Sequence, residues 1–194
     1  MFTGVIKHTG KVLSAELEGT SRIVIIAKPR GWKLALGESI SVNGICTTVR
    51  SFDAASFEVE YMPATRRITT ADSFTKGRAL HLERSLRLKD AVDGHFVQGH
   101  VDATGIVERV EKNGESHRVT FRVPKAVRRL CMPWGSVTVD GISLTIQGLA
   151  RDSFTVALIS HTLKETTLGA LKKGDQVNIE TDMLARYVAQ LMKK

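Results

Sequence analysis

The sequence predicts an all-β protein made of two tandem β-barrels that are followed by a C-terminal α-helix. Three observations support this fold class. The chain repeats itself at a shift of 97 residues. Each half consists of short runs in which apolar and polar residues alternate, the period of a half-buried strand. Only the last residues have apolar positions at helical intervals.

The internal repeat is clearest in one block of the chain. Residues 39–49 (SISVNGICTTV) fall on residues 136–146 (SVTVDGISLTI), with identical Ser, Val, Gly, Ile and Thr positions. The same shift places residues 56–70 on 153–167, and a shift of 95 places residues 4–12 on 99–107. Three matching blocks in one order predict a duplication. We therefore expect one barrel over residues 1–97 and a second over residues 98–182.

Each half contains five clear strand-like runs bounded by turn residues. They are RIVIIA, ESISV, TTVRSF, SFEVEYM and ALHLE in the first half, and HRVTFRV, SVTVDG, SLTIQG, SFTVALI and QVNIE in the second. Five or six strands in about 95 residues predict a small closed Greek-key barrel. Asn43-Gly44 and Asp140-Gly141 each lie between two runs, where a tight hairpin needs residues that tolerate positive φ.

Residues 183–194 form the predicted C-terminal helix, which we expect to serve in oligomerisation. Its apolar positions at helical spacing are Met183, Leu184, Tyr187, Val188 and Leu191. Thr181 or Asp182 is the expected N-cap, and lysines end the segment. The apolar stripe either packs on its own barrel or mediates self-association, and the sequence leaves both interpretations open.

Composition limits the partners that we expect. The net charge of +8 permits a nucleic-acid ligand, but the basic residues are interspersed with acids and aromatics make up only 6% of the chain. The chain has two cysteines, no basic and apolar leader, and no apolar run of about 18 residues. We therefore expect a soluble, cytoplasmic protein with neither a nucleic-acid nor a membrane partner.

A duplicated barrel supplies two equivalent sites, which suits a protein that binds two molecules of one ligand. The two copies nevertheless differ at three chemically interesting pairs of positions: Cys46 and Ser143, Asn43 and Asp140, and His81 and Asn178. These differences predict related sites with unequal roles.

Two histidines between glycines mark the junction of the halves. His95 and His100, in GHFVQGH, can move protons near neutral pH, although each can equally be a structural hydrogen-bonding residue. Cys46 is either a small buried side chain or a nucleophile. These three residues lack metal-ligand spacing, so no metal is expected. Thr48 and Thr145 recur at matching positions and can bond a polar ligand, but threonine is also common in strands.

The chain resembles the riboflavin synthase family over its whole length. The resemblance is carried by MFTGVI, SVNGICTTV, LERSLRLKDAVDGHFVQGHVDATG, VDGISLT, SHTLKETTLG and VNIETDMLARYVAQL. It implies two six-stranded Greek-key barrels and a C-terminal helix that gathers three chains into a homotrimer. The active site would lie between the N-terminal barrel of one chain and the C-terminal barrel of its neighbour.

The resemblance also implies an activity. Two molecules of 6,7-dimethyl-8-ribityllumazine would exchange a four-carbon unit to give riboflavin and 5-amino-6-ribitylamino-uracil, the last step of riboflavin biosynthesis, with no metal, flavin or nicotinamide cofactor. A lumazine synthase is an implied partner. The alternative is a non-catalytic lumazine- or flavin-binding protein of the antenna type. The retained His95, His100 and residues 162–167 favour the enzyme.

Site residues are implied position by position. The resemblance makes His100 the proton-transfer residue, places Cys46 and Ser143 beside the two ligands, and ties Ser39 to activity; these four are the implied catalytic residues. The implied substrate-binding residues are Phe2, Gly4, Val5, Ile6, Cys46, Thr47, Thr48, Tyr61, Met62, Pro63, Ala64, Thr65, Arg66, Gly99, His100, Val101, Trp134, Asp140, Ser143, Leu144, Thr145, Leu158, Ile159, Ser160, His161, Thr162 and Leu163.

The first barrel departs from the family pattern. Family members usually read C-L-T-V, E-T-L-R and G-G-H where this chain has CTTV, ATRR and DGH, and they commonly carry Lys where Trp134 stands. Ala64 replaces an expected carboxylate and Arg66 adds a positive charge beside the first ligand segment. We therefore expect an altered first site and a second site that keeps its pattern.

Overall fold

The computed structural model describes residues 1–192 and shows two closed antiparallel barrels of six strands each. The first barrel contains β1 (His8–Glu18), β2 (Ser21–Ala27), β3 (Ser39–Val42), β4 (Ile45–Phe52), β5 (Ser56–Tyr61) and β6 (Ala79–Arg84). The second contains β7 (Ala103–Asn113), β8 (Ser116–Arg122), β9 (Ser136–Val139), β10 (Ile142–Leu149), β11 (Ser153–Leu158) and β12 (Gln176–Thr181).

The two barrels have the same strand order. Around the first barrel it is β1-β2-β5-β4-β3-β6, and around the second it is β7-β8-β11-β10-β9-β12. Short helices occupy matching places: α1 (Pro63–Ile68) follows β5 and α3 (Ser160–Glu165) follows β11, each with a 3₁₀ turn after it, while α2 (Lys125–Arg128) follows β8. The predicted fold class of duplicated six-stranded barrels is confirmed.

The first strand of each barrel has no counterpart among the ten predicted strand-like runs. β1 and β7 each have 11 residues, but a register shift between Val12 and Ser14 interrupts β1, and one between Val107 and Arg109 interrupts β7. A β-bulge breaks the two-residue alternation, and the outer half of each strand is mostly exposed. The pattern therefore fades although the strand continues.

The two predicted hairpins are confirmed, and they meet each other. Asn43 and Gly44 have φ of 46° and 79°, and Asp140 and Gly141 have φ of 47° and 82°, as a two-residue turn with positive φ at both positions requires. A Cβ atom on Gly44 would lie 2.6 Å from the Gly141 nitrogen, and one on Gly141 would lie 2.7 Å from the Gly44 nitrogen. The barrels therefore pack with their hairpins back to back.

The segments before β1 and β7 are exchanged between the barrels. We call residues 2–7 the first strap and residues 97–102 the second strap. Phe2 and Val97 pair through two backbone hydrogen bonds of 2.7 and 3.1 Å. Beyond this pair, Ile6 packs into the core of the second barrel, whereas Val101 packs into the core of the first. Each barrel therefore borrows one core residue from the strap of the other half.

The C-terminal helix α4 (Met183–Leu191) begins after Asp182, whose carboxylate accepts a hydrogen bond of 2.9 Å from the Leu184 N–H. Of the two expected N-caps, the structure thus selects Asp182. Residues 193 and 194, which the predicted helix included, lie outside the described residues. Within residues 1–192 no helix is both long enough and apolar enough to cross a membrane.

Candidate functional site

The exchanged straps run beside the outward faces of β4 and β10. The Gly99 carbonyl accepts a hydrogen bond of 2.8 Å from the Cys46 N–H, and the Gly4 carbonyl accepts one of 2.9 Å from the Ser143 N–H. Both glycines have positive φ, and a Cβ on either would come within 2.7 Å of the facing residue. Glycine is needed here because the strap touches the strand.

The first candidate site therefore combines β4 with the second strap. On β4, Cys46 is half-buried and Thr48 is exposed, whereas Thr47 between them is buried and donates to the Ile40 carbonyl. His100 follows the bonded Gly99 and is exposed. The structure thus brings the segment of His100 next to Cys46 and Thr48, which lie more than 50 positions before it in the chain.

The second candidate site combines β10 with the first strap and with His95. The Nδ1 atom of His95 lies 2.8 Å from the Ser143 hydroxyl oxygen. Gly94 permits this approach, since a Cβ there would lie 2.1 Å from the Thr3 carbonyl oxygen. Burial lowers the pKa of His95, so the imidazole is neutral at pH 7. This hydrogen bond can transfer a proton between hydroxyl and imidazole.

The other ring nitrogen of His95 is left without a hydrogen bond. Its Nε2 atom is buried and has no hydrogen-bond partner among the described residues. A buried polar atom without a partner is rare because desolvation costs about 1–3 kcal/mol. The sequence singled out His95 and Ser143 separately, but their contact across 48 positions depends on the exchanged straps.

Two glutamates that are not among the implied site residues, Glu83 and Glu180, hold the straps. Glu83 accepts hydrogen bonds from the Thr3 N–H at 2.7 Å, the Thr3 hydroxyl at 2.7 Å and the Gly4 N–H at 3.0 Å. Glu180 accepts from the Gln98 N–H at 2.8 Å and the Gly99 N–H at 2.9 Å. Burial raises the pKa of both carboxyls. Their identity at the 97-residue shift was the available signal.

Several implied substrate-binding residues have buried side chains. Alternate residues of a strand face the core, so a continuous stretch cannot present every side chain to a ligand. The buried side chains are those of Phe2, Ile6, Thr47, Tyr61, Val101, Leu144 and Leu158. Only their backbone atoms can reach a ligand at the outward faces. Ser39, on β3, is half-buried and pairs with Thr48, so it adjoins the first site from the neighbouring strand.

Asp140 lies in the contact between the barrels rather than beside Ser143. Its Oδ1 atom accepts a hydrogen bond of 2.8 Å from the Asn178 N–H, while the Asn43 Oδ1 atom accepts one of 2.6 Å from the His81 N–H. All four side chains are buried. Two of the three divergent pairs thus form a polar cluster at the seam between the hairpins, and only the pair Cys46 and Ser143 faces outward.

His81 reproduces the hydrogen bonds of an asparagine in this cluster. Its Nδ1 atom lies 3.0 Å from the Asp140 carbonyl oxygen, and its Nε2 atom accepts from the Thr167 N–H at 2.9 Å. Asn178 donates to the Asn43 carbonyl at 2.8 Å and accepts from the Thr70 N–H at 2.7 Å. These partners fix a neutral imidazole with its proton on Nδ1.

The seam also changes the acidity of its titratable groups. Burial lowers the pKa of His81 to about 4, although the hydrogen bond to the Asp140 carbonyl opposes this change. Burial raises the pKa of Asp140 to about 7, against the effect of the Asn178 hydrogen bond. Both shifts favour the neutral form, as expected where water is excluded.

The segments after β5 and β11 border the two sites. Met62 and Ile159 precede α1 and α3, and both are exposed. Arg66, the added charge of the first segment, forms a two-pronged ion pair with Asp72 at 2.6 and 3.3 Å and donates to the Thr20 carbonyl at 2.8 Å. Its charge is therefore balanced within the barrel. The other implied residues of these segments are half-buried or exposed: Pro63, Ala64, Thr65, Ser160, His161, Thr162 and Leu163.

Trp134 has an unusual conformation beside the second site. Its φ is 64°, its side chain is 75% exposed, and its N–H donates to the Ile146 carbonyl at 2.8 Å. The matching residue of the first barrel is Gly37, with φ of 79° and the same hydrogen bond, to Val49, at 3.0 Å. A bulky residue with positive φ is strained. No packing within the barrel offsets that strain, because the ring is largely in solvent.

The outward faces of both sites are open. Thr48, Thr145 and His100 are exposed, so another surface is needed to exclude water from a ligand lying on them. Val5, half-buried, is the strap residue that follows Gly4 at the second site. Among residues 1–192, no group of three or more His, Cys, Asp or Glu side chains is arranged to hold a metal ion.

Comparisons with known proteins agree with this geometry. The family model described as the lumazine binding domain matches residues 3–85 and 98–182. Riboflavin synthase of Brucella abortus (strain 2308) is 44% identical over 200 residues, which cover 98% of each chain. Riboflavin synthase of Bacillus subtilis (strain 168) is 38% identical over 195 residues, covering 100% of this chain and 91% of that relative.

Solved structures agree on the fold. LumP in complex with riboflavin superposes with a TM-score of 0.86, and LumP in complex with 6,7-dimethyl-8-(1'-D-ribityl) lumazine superposes with a TM-score of 0.84. Each is 20% identical and covers 93% of this chain and 99% of its own. At this identity the likeness concerns the fold alone.

Proposed function

This chain belongs to the riboflavin synthase family, and we propose that it converts two molecules of 6,7-dimethyl-8-ribityllumazine into riboflavin and 5-amino-6-ribitylamino-uracil. One observation carries the proposal: the exchanged straps build two related outward faces whose reactive groups differ, Cys46 with His100 in one and Ser143 with His95 in the other. A reaction between two copies of one substrate needs such paired sites with unequal roles.

The chemistry requires no external reagent. Together, the two products contain all the atoms of two substrate molecules, so the transfer of a four-carbon unit needs neither an oxidant nor a reductant, and no cofactor is part of the proposal. The protein binds and orients the two heterocycles, which can contribute about 7–11 kcal/mol when the alignment is good. Proton transfer by a positioned side chain adds a further rate enhancement.

His100 is the proposed proton-transfer residue. It is exposed, and the bond between Gly99 and Cys46 fixes the backbone next to it. In this proposal Cys46 and Thr48 contact the first ligand, while Ser143 and Thr145 contact the second. His95 joins the second site because its Nδ1 atom contacts the Ser143 hydroxyl, which links the imidazole to the proposed ligand position.

The apolar face of α4 supports the proposed homotrimer. Leu184 is 62% exposed and Leu191 is 83% exposed, and Tyr187 and Val188 are exposed as well. The stripe therefore does not pack on its own barrel, and an exposed apolar stripe of this kind marks an interaction surface. Association through residues 183–194 would let the first barrel of one chain (1–97) cover the second barrel (98–182) of its neighbour.

Three finer parts of the proposal have their own tests. Sedimentation of the purified protein measures the trimer directly. A cytoplasmic location and an association with lumazine synthase are tested by fractionating cells and asking whether the two proteins co-elute.

The alternative is a protein of the antenna type that binds lumazine or flavin without catalysis. The likeness to LumP concerns the fold, which both alternatives share. The contact between the His95 Nδ1 atom and the Ser143 hydroxyl favours the enzyme, because such a pair can move a proton to or from a bound ligand.

Incubation with the substrate decides between the two. Purified protein mixed with 6,7-dimethyl-8-ribityllumazine should form one riboflavin for every two lumazines consumed, measured by riboflavin fluorescence and by chromatography against a protein-free sample. Lumazine binding without riboflavin formation would establish the antenna alternative. A protein that shows no lumazine binding and no riboflavin formation would reject both the enzyme and the antenna alternative.

A further inference from the structure

Arg186 of α4 reaches both ends of the second strap. Its Nη2 atom donates to the Gln98 Oε1 atom at 2.7 Å, and its Nη1 atom lies 3.4 Å from the Asp102 Oδ1 atom. Gln98 and Asp102 stand two positions before and two positions after His100. One guanidinium group thus spans the short segment that carries the proposed proton-transfer residue.

Arg186 also joins the glutamate that holds this strap. Glu180 accepts the N–H groups of Gln98 and Gly99, and its Oε1 atom lies 3.4 Å from Arg186 Nη2. Glu180 is almost fully buried, and the Arg186 side chain is about three-quarters buried. A cation in this position compensates a buried carboxylate, which keeps the glutamate an acceptor for both strap N–H groups.

The far end of the strap is fixed as well. The Oδ2 atom of Asp102 accepts from the N–H and the hydroxyl of Thr181, each at 2.7 Å, at the end of β12. Between the two ends, Gly99 bonds to Cys46 and Val101 is packed in the core of the first barrel. The backbone at His100 therefore has little freedom while Arg186 is in place.

Among residues 1–192, no side chain clamps the first strap in the way that Arg186 clamps the second. Glu83 holds it through Thr3 and Gly4 alone, and the residue that matches Asp102 at the 95-residue shift is the exposed Lys7. The clamp is thus specific to the strap that carries His100. It also ties that strap to α4, whose opposite face is the exposed apolar stripe.

We propose that Arg186 is a positioning residue that acts through Gln98, Glu180 and Asp102 to hold His100 beside Cys46, and that it couples the placement of α4 to the geometry of the first site. This inference rests on the proposed function for the role of His100. The clamp itself rests only on the contacts of the second strap.

The experiment compares three variants of the full-length protein. Arg186→Gln removes the clamp, and Arg186→Lys keeps the charge but cannot reach both ends of the strap. The matched control is Arg109→Gln, which breaks an exposed ion pair with Glu111 of similar length, 3.5 Å, on β7. The readouts are kcat, KM, the mass in solution, and the His100 imidazole signal in a proton–carbon NMR spectrum, assigned by its loss in His100→Ala.

Arg186→Gln should lower kcat by about 10- to 100-fold, the range caused by small misplacements of a reacting group, and it should shift the His100 signal. Arg186→Lys should recover part of both effects, and Arg109→Gln should change neither. If Arg186→Gln alters the mass in solution, Asp102→Asn removes one end of the clamp without touching α4 and should shift the His100 signal on its own.

Two results would overturn the inference. One is an unshifted His100 signal with kcat within twofold of the unmodified protein in both Arg186→Gln and Asp102→Asn. The other is recovery of neither kcat nor the His100 signal in Arg186→Lys together with an equal loss of thermal stability in both Arg186 variants, which would make the cluster merely structural. The NMR readout does not need turnover. An unmodified protein that forms no riboflavin therefore rejects the proposed function and leaves the clamp to be judged by the His100 signal.

Discussion

The two barrels share a strand order, a hairpin and an exchanged strap, but they differ in the side chains attached to these features. The second strap is held by Glu180 with Arg186, whereas Glu83, which holds the first strap, has no arginine partner among the described residues and interacts instead with the N-terminal ammonium group. Ser143 has a histidine partner, whereas Cys46 has an exposed histidine next to it in the strap. The duplication therefore provides the frame, and a few substitutions on it make the two sites chemically unequal.

The sharpest test of this inequality is His100→Ala. Removal of a positioned general acid or base typically lowers the rate by about 10²- to 10⁴-fold, so we expect kcat to fall at least 100-fold. Because Cys46→Ser only gives the first site the residue of the second, it should leave lumazine binding nearly intact. Steady-state assays measure kcat, and titration with 6,7-dimethyl-8-ribityllumazine measures binding. Unchanged turnover in His100→Ala would remove the proton-transfer role.

The two halves also differ at the seam between the hairpins, where a substitution can give one half the residue of the other. Asp140 has a native pKa of about 7, above its usual value of 3.8, so its contribution to stability is present at acid pH and is lost as the pH rises towards 7. His81 has a native pKa of about 4, below 6.5, so stability is lost as the pH falls from 6.5 towards 4.

Asp140→Asn should therefore raise the free energy of unfolding at pH 8, by an amount on the order of a few kcal/mol, and by less at pH 5. The substituted amide can still accept from Asn178, as Asn43 accepts from His81. His81→Asn should remove the loss at acid pH. Urea unfolding at pH 5, 6.5 and 8 measures both, and identical gains at all three values would show that ionisation is not the cause.

Substitution of the strap glycines tests whether the two exchanged straps contribute equally to the stability of the protein. Gly4→Ala and Gly99→Ala each add a Cβ within 2.7 Å of the facing strand at positive φ, so we expect each to destabilise the protein by about 2–3 kcal/mol. Gly174→Ala is the control, because its φ is 96° but no atom lies within 4 Å of the added Cβ. It should lower stability by about 1 kcal/mol. Thermal unfolding measures the stability of all three variants. An equal loss of stability in Gly174→Ala and in the two strap variants would contradict the close contact between strap and strand.

The smallest expected effect is at Trp134. Trp134→Gly copies Gly37 of the first barrel and should stabilise the protein by about 1 kcal/mol, because glycine tolerates the positive φ. If the exposed indole contacts the second ligand, the same change should weaken binding and raise KM. Thermal unfolding and steady-state kinetics separate the two effects. A gain in stability with unchanged KM would exclude the ligand contact.

Local patterns in the sequence were sufficient for most of the fold. Alternation predicted ten of the twelve strands, the Asn-Gly and Asp-Gly pairs predicted both hairpins, and Asp182 was one of two expected helix caps. β1 and β7 were not predicted, because a bulge and an exposed outer half interrupt the alternation of apolar and polar residues along them.

The candidate site was less accessible from the sequence because it depends on contacts between distant segments. The exchange of straps rests on two glycine carbonyls and on the packing of Ile6 and Val101, none of which has a local signature. A difference in sequence between the two repeats also does not show whether the position contacts a ligand or lies in the seam between the barrels. Cys46 and Ser143 face outward, while the equally divergent Asn43 and Asp140 pair with His81 and Asn178 between the barrels.

The exchanged straps give the chain the geometry of a domain-swapped dimer whose two members are covalently joined. Separate halves would have to find each other in solution before either could complete its core. Joining them turns that encounter into an intramolecular step, with an effective concentration in the millimolar range for short connections. The exchange, and the two faces that it builds, should therefore be independent of protein concentration, even where assembly through α4 is not.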